Sequence, residues 1–314
     1  MLRFIAKRVL VIIPTLLGII FIVFGIMALT PGDPAKVILG EKATPEAIET
    51  LTKELGLDKP FLIRYADYVW DLLHGDMGNS YRSGRDVSQE ILTRLPTTIR
   101  LTVGAIVVAV CLGIPLGILS AVKQYSFFDI AGTMTAMMAA SIPAFWLALL
   151  FILLFSLKLG WLPSNGSDTF KHYILPSLSL AIPTSASLLR LTRTQMLETI
   201  RQDYIRTARA KGQVERKITF RHALKNALLP VVTVVGMEFG FLLGGAVICE
   251  QVYSINGLGT LIINAIRMKD VPQVTGSALF LAFFFMIVML AVDILYAYID
   301  PRIRARYQSK SKKR

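Results

Sequence analysis

Six long apolar runs constrain the fold of this chain more than any other feature. They cover residues 9–29, 101–122, 130–157, 173–189, 228–249 and 271–292. About 20 apolar residues in a helix cross the roughly 30 Å of hydrocarbon in a bilayer. Because no water satisfies the backbone there, a spanning segment must be a helix or part of a closed barrel. The runs predict an all-α membrane protein with six transmembrane helices, and Pro143 and Pro183 predict kinks in the third and fourth.

The distribution of charge predicts the orientation of these helices. The chain carries a net charge of +13, and 21 of its 34 Lys and Arg residues fall before 9, between 122 and 130, within 190–225 or after 301. Segment 30–100 instead holds 11 acidic and 9 basic residues. Basic residues concentrate on the cytoplasmic side of membrane proteins. We therefore expect both termini in the cytoplasm, 30–96 outside, and basic clusters that anchor the chain to the lipid bilayer rather than bind nucleic acid.

The segment outside the membrane has the residue pattern of short helices. Thr44 and Asp86 precede apolar periodic stretches as N-caps do, and Gly56 and Gly75 follow them as helix ends do. The chain therefore divides into four predicted parts. These are the N-terminus with the first span (1–29), an extracytoplasmic helical cap (30–96), a five-span core with a cytoplasmic loop at 194–228 (97–300), and a basic cytoplasmic tail (301–314).

A strongly basic stretch, 203–230, separates the fourth and fifth runs. Ile200, Tyr204 and Ala208 recur at helical spacing, and Gly212 is suited to the left-handed residue that ends a helix. The second half predicts an amphipathic helix. Its apolar stripe consists of Phe220, Ala223, Leu224, Ala227 and Leu228, and its basic face of Lys217, Arg221 and Lys225. The stretch thus predicts a helix, a glycine break and a second helix.

Two parts of this stretch resemble the cytoplasmic coupling loop of binding-protein-dependent ABC importer permeases. They read Tyr204-Ile-Arg-Thr-Ala-Arg-Ala-Lys-Gly212 and Arg221-His-Ala-Leu-Lys-Asn-Ala-Leu-Leu-Pro230, and are most similar to the dipeptide/oligopeptide/nickel branch. The general permease pattern has Glu where this chain has Arg206, so a salt bridge from that Glu is not carried over. Pro31-Gly-Asp-Pro34, Leu55-Gly-Leu-Asp58 and Gly75-Asp-Met-Gly78 also resemble this branch, and we interpret them as turns.

The resemblance implies a subunit that forms half of the translocation pathway of an ATP-driven importer in the cell inner membrane. Its implied partners are a second homologous permease, identical or not, two cytoplasmic ATPases that consume the ATP, and an extracytoplasmic substrate-binding protein. The implied cargo is di- or oligopeptides, or related small ligands such as glutathione or metal chelates. The residues implied to couple to the ATPase are Tyr204, Arg206, Thr207, Ala208, Arg209 and Gly212.

No motif predicts catalysis or cofactor binding by this chain. It has no Gly-x-x-x-x-Gly-Lys-[Ser/Thr] phosphate loop, no His-Glu-x-x-His and no Cys-x-x-Cys. Its three histidines, His74, His172 and His222, are scattered, and Cys111 and Cys249 lie inside apolar runs. We therefore predict a transporter subunit and not an enzyme, with no catalytic residue, cofactor or metal bound by this chain.

One acidic residue, Glu238, lies near the middle of the fifth run. A charge at that depth costs roughly 2.5–3.5 kcal/mol against lipid, so the side chain must face water, pair, or stay protonated. Two interpretations remain open: a residue that lines the translocation pathway, or a protonated carboxyl group bonded to a neighbouring helix. Glu238 also keeps open an alternative function, an ion-coupled secondary transporter, which would need its own coupling-ion site.

Overall fold

The computed structural model describes residues 2–40 and 42–299, and the predicted basic tail, 301–314, lies outside them. Regular structure in the described ranges is helical, with one isolated antiparallel bridge between Asn79 and Asp86. The helices are α1 (Leu2–Leu29), α2 (Pro34–Leu39), α3 (Pro45–Glu54), α4 (Phe61–Leu73), α5 (Val87–Val122), α6 (Phe127–Ser141), α7 (Ala144–Phe151), α8 (Lys171–Ile200), α9 (Asp203–Ala210), α10 (Glu215–Lys217), α11 (Leu224–Val252), α12 (Leu258–Arg267) and α13 (Val271–Ile299). A π-helical stretch, Ile152–Lys158, continues α7, and another, Ile218–Ala223, precedes α11.

Five of these helices are long and apolar enough to cross a membrane: α1, α5, α8, α11 and α13. The number is six if α6 and α7, with its π-helical continuation, cross together as one bent span. This confirms the predicted all-α membrane fold.

The third predicted span, 130–157, differs from the prediction because it is broken and not merely kinked. Ile142 and Pro143 have extended backbone angles, and the helix axis turns by 94° between α6 and α7. The ring of a proline disfavours the helical region for the preceding residue, which is consistent with the end of α6 just before Pro143. Pro183, by contrast, lies inside the continuous helix α8.

The predicted helices of segment 30–96 are present. The Thr44 hydroxyl accepts a hydrogen bond from the Ala47 amide at 3.3 Å at the start of α3, and Gly56 is left-handed, with φ +61°. The Asp86 carboxylate caps α5, and hydrogen bonds from the Ser88 hydroxyl and the Gln89 amide lower its pKa. That third helix does not end near residue 96, however. It continues through Pro96 as α5, so one 36-residue helix contains both the last cap helix and the second span.

The described residues form two compact units, one of Ile99–Ile255 with 287–299 and the other of Leu2–Thr98 with Asn256–Met286. In the first unit α8 packs against α6, α7 and α11. A β-carbon on Gly113 of α5 would lie 2.6 Å from the Ser185 carbonyl oxygen of α8, so only glycine permits this approach. The predicted division at 30, 97 and 301 remains a prediction.

In the second unit, α1 packs against α4 through aromatic side chains. The Phe21 ring meets the Phe61 and Tyr65 rings edge-on at centroid distances of 5.6 and 5.4 Å. Phe24 and Tyr68 are buried in the same cluster. The first span, α1, therefore packs directly against a helix of the segment that follows it in sequence.

Candidate functional site

The predicted coupling loop, 194–228, contains the end of α8, all of α9 and α10, the π-helical turn and the start of α11. Gln202 is extended, which separates α9 from α8. Asp203 occupies the first turn of α9, where its negative charge interacts favourably with the positive end of the helix dipole. The loop therefore presents a short, separate helix of eight residues.

One face of α9 anchors it to the rest of its unit. Ile205 and Ala208 are buried in a cluster with Ala121, Met196, Ile218, Ala223 and Ala227. The predicted face of Ile200, Tyr204 and Ala208 is therefore partly wrong, since Tyr204 is 42% exposed. The break at Gln202 places Ile200 on a different helix, and this shifts the buried register of α9 to Ile205.

Gly212 ends α9 as predicted, with φ +74°. The Gln213 amide donates to the Ala208 carbonyl at 3.3 Å, and the Gly212 amide donates to the Arg209 carbonyl at 2.9 Å. These two bonds define a Schellman motif, in which the left-handed residue is usually glycine. The direction in which the chain leaves α9 depends on this residue.

Three side-chain contacts join the two halves of the loop. The Asn226 amide donates to the Tyr204 hydroxyl at 2.8 Å, and the Gln213 and His222 side chains are hydrogen-bonded at 2.7 Å. The Arg209 guanidinium donates to both Glu215 carboxylate oxygens, at 2.6 and 3.3 Å. The paired positions are between 6 and 22 residues apart. Asn226 and His222 belong to the sequence signature, but the residue pattern does not indicate these pairings.

Four of the six predicted coupling residues lie on the exposed surface of α9, and a fifth, Gly212, follows the end of the helix. Tyr204, Arg206, Thr207, Arg209 and Gly212 are exposed. Ala208 is buried, so it packs α9 against its own unit. The exposed side of α9 is therefore basic.

The second half of the loop departs from the predicted stripe at one position. Phe220 is 56% exposed, whereas Ala223 and Ala227 are buried. The π-helical turn at Ile218–Ala223 explains the difference, because its wider turn changes which side chains face inward. Lys217, Arg221 and Lys225 are exposed, as their placement on a separate basic face predicts.

A buried ion pair that the sequence pattern does not indicate lies at the ends of α6 and α8. The Arg193 guanidinium donates to the Asp129 carboxylate through Nε at 2.6 Å and a terminal nitrogen at 2.9 Å. The carboxylate also accepts bonds from the Ser120 hydroxyl and, at 2.9 Å, from the Tyr125 amide. Asp129 is 4% exposed at its side chain and Arg193 24%. This pair ties α8, just before the coupling loop, to the turn between α5 and α6.

Glu238 is half-buried in α11, and no described residue donates a hydrogen bond to its carboxylate. Close by, a β-carbon on Gly236 would lie 2.5 Å from the Val292 side chain, so α13 approaches α11 closely at this level. The assignment of Glu238 to a translocation pathway remains a prediction.

The histidines make separate local contacts: His74 with the Trp70 carbonyl, His172 with Thr169, and His222 with Gln213. Across residues 2–40 and 42–299, no three His, Cys, Asp or Glu side chains come together in a group that would hold a metal ion.

The long apolar helices define a multi-pass membrane protein, with the amphipathic helix α9 between α8 and α11 in sequence. Residues 113–305 match the model of the family described as binding-protein-dependent transport system inner membrane component. Residues 1–102 match that of the N-terminal region of binding-protein-dependent transport system membrane components. The chain belongs to this family of inner-membrane transport components, whose members are permeases and not enzymes.

Two curated relatives extend over almost the whole chain. The dipeptide transport system permease protein of Alkalihalophilus pseudofirmus is 41% identical, over 97% of this chain and 100% of that protein. The glutathione transport system permease protein of Pectobacterium atrosepticum is 43% identical, over 97% of this chain and 99% of that protein.

Among solved structures, the inward-facing MetNI methionine ABC transporter matches with a TM-score of 0.56 and 18% identity, over 68% of this chain and 97% of that one. At this identity the match supports the fold. Together with the curated relatives it identifies the chain as an ABC importer permease subunit, and an ion-coupled secondary transporter is not favoured.

Proposed function

We propose that this chain forms half of the translocation pathway for di- or oligopeptides, or for a related small ligand such as glutathione or a metal chelate. The relatives named for dipeptide and glutathione transport support this class of substrate. A second homologous permease would complete the pathway, and an extracytoplasmic binding protein would deliver the substrate. Two ATPases would supply the energy, so this chain would need no cofactor of its own.

The observation that carries the coupling proposal is the construction of α9. Its buried face, Ile205 and Ala208, fixes it to its own unit, and its exposed face presents Tyr204, Arg206 and Thr207 to a partner. A helix held in this way moves with the spans around it. An ATPase that binds the exposed face could therefore transmit its closure to the pathway, which would open alternately to either side.

The experiment that tests coupling is substitution of Gly212. At φ +74° a β-branched residue is strained by about 1–3 kcal/mol, whereas asparagine tolerates this region. In the assembled transporter we expect Gly212→Val to abolish substrate-stimulated ATP hydrolysis and uptake, and Gly212→Asn to retain most of both. Membrane content and thermal stability of the two variants serve as controls for folding. Normal uptake by a stably inserted Gly212→Val variant would refute the coupling role.

A further inference from the structure

A tight turn in the second unit, 79–86, presents two arginines on a fixed backbone. The Ser80 amide donates to the Arg85 carbonyl at 2.9 Å, and the Gly84 amide donates back to the Ser80 carbonyl at 2.9 Å. Arg82 and Arg85 are exposed on this turn. Their main-chain positions are therefore set before any ligand arrives.

The turn is held from inside by Asp270, which is only 2% exposed. Its carboxylate accepts hydrogen bonds from the Ser80 hydroxyl at 2.5 Å, the Tyr81 amide at 3.1 Å and the Arg82 amide at 3.4 Å. The preceding residue, Lys269, donates to the carbonyl oxygens of Thr30 and Gly32 at 2.7 and 2.9 Å. Both charges are thus engaged in fixing the backbone.

Beside the turn lies a cavity of about 460 Å³, lined by Arg82, Arg85 and Arg94 together with the amide side chains of Asn256, Asn264 and Gln273. Gln273 is 1% exposed, and its carbonyl oxygen accepts no hydrogen bond from the described residues. The two acidic lining residues, Glu90 and Asp270, already accept hydrogen bonds from serine hydroxyls. Within the described chain, none of the three guanidinium groups forms an ion pair.

We propose that this cavity is a carboxylate-binding site for a small ligand. A guanidinium group pairs with a carboxylate through two parallel hydrogen bonds, and neighbouring amides can orient the rest of a peptide-like molecule. Preorganisation of the turn lowers the entropic cost of binding. The volume falls within the range of small-molecule sites, about 300–1,000 Å³. The proposal rests on the proposed function for its location on the extracytoplasmic side, where a substrate would first meet the permease.

The test uses the assembled transporter in lipid nanodiscs without its binding protein, and two probes, Ala-Ala and its C-terminal amide. Calorimetry or saturation-transfer NMR should detect the free acid and show about tenfold weaker binding of the amide, because charge-assisted bonds are the stronger class. Arg94→Gln and the double variant Arg82→Gln/Arg85→Gln should lose a similar factor. Arg267→Gln, an exposed arginine outside the cavity, should bind Ala-Ala as the unaltered protein does.

Equal binding of the acid and the amide, or unaltered affinity in the cavity variants, would overturn the proposal. So would a result in which the cavity variants lose affinity only for the binding protein, because the carboxylates recognised would then belong to a protein surface. Failure of the proposed function is a separate outcome. It would show as absence of ATP-driven uptake by the unaltered transporter, whatever the probes do.

Discussion

At the scale of single residues, the pairing of Asp129 with Arg193 shows how much depends on one carboxylate. Two guanidinium nitrogens, a hydroxyl and a backbone amide converge on Asp129, so all its strong acceptor positions are used. The positive φ of Tyr125, +63°, turns its amide towards the same group. Removing the charge would leave a half-buried guanidinium without its counter-ion.

We expect Asp129→Asn to lower the stability of the purified subunit by about 3 kcal/mol, the cost of breaking a buried ion pair at one partner. Thermal unfolding in detergent measures the loss. The double variant Asp129→Asn/Arg193→Gln should recover part of it, because no unpaired charge remains. Asp203→Asn is the control, since its contact with Arg206, at 3.8 Å, joins side chains that are 98% and 75% exposed. An equal loss in both single variants would contradict this account.

The left-handed conformation of Gly212 was predictable because it depends only on neighbouring residues. The Asp129–Arg193 pair was not, because its members are 64 positions apart and each has an ordinary local role. Tyr204 and Asn226 show the same limit within the coupling loop, where the signature contained both residues but not their hydrogen bond.

Glu238 allows a residue-scale test of the pathway. If the side chain lines a hydrated path, Glu238→Gln should transport nearly normally. Glu238→Leu should fold normally but lose uptake. If the carboxyl group is purely structural, Glu238→Leu should instead lower the yield of folded protein before it lowers uptake. Uptake normalised to folded protein decides between them, and water-soluble thiol reagents should label Glu238→Cys only if the path is hydrated. Normal uptake per folded Glu238→Leu molecule would end the pathway hypothesis.

At the scale of elements, helix starts and stops followed their local signals closely. Thr44 and Asp86 cap the helices expected of them because side-chain capping acts within a few residues. Prolines were less reliable indicators. Pro96 and Pro183 lie within helices, whereas the chain breaks before Pro143. The difference depends on tertiary packing, which the sequence pattern does not contain.

The turn at 79–86 should loosen when its internal anchor is changed. Asp270→Asn replaces one acceptor oxygen by a donor that faces other donors, so bonds to Ser80 or Tyr81 are lost. We expect trypsin to cut after Arg82 and Arg85 several times faster in this variant, since cleavage follows local opening. Asp67→Asn, the same change at an exposed carboxylate that pairs with Lys59 outside the turn, is the matched control. Cleavage rates equal to the unaltered protein would show that Asp270 does not hold the turn.

At the scale of the whole molecule, the charge pattern predicts the orientation in the membrane, with both termini in the cytoplasm and 30–96 outside. In a background with Cys111→Ala and Cys249→Ala, an impermeant maleimide on intact cells or spheroplasts should label Lys53→Cys but not Lys225→Cys. Both positions are exposed, so a difference in labelling reports the side of the membrane. Labelling of Lys225→Cys alone would invert the topology. Permeabilised cells, in which both should react, supply the control.

The break between α6 and α7 has a consequence for the surroundings of the chain. α6 has 15 residues and is about 22 Å long, too short to cross the hydrocarbon alone. The Ile142 amide donates to the Ala139 carbonyl at 3.4 Å, but the other carbonyl groups of the final turn have lost the amides of a continuing helix. Acyl chains offer no hydrogen-bond donor in exchange. The exposed surface around Ser141 must therefore face water or another protein, and lipid can surround this subunit only part of the way round.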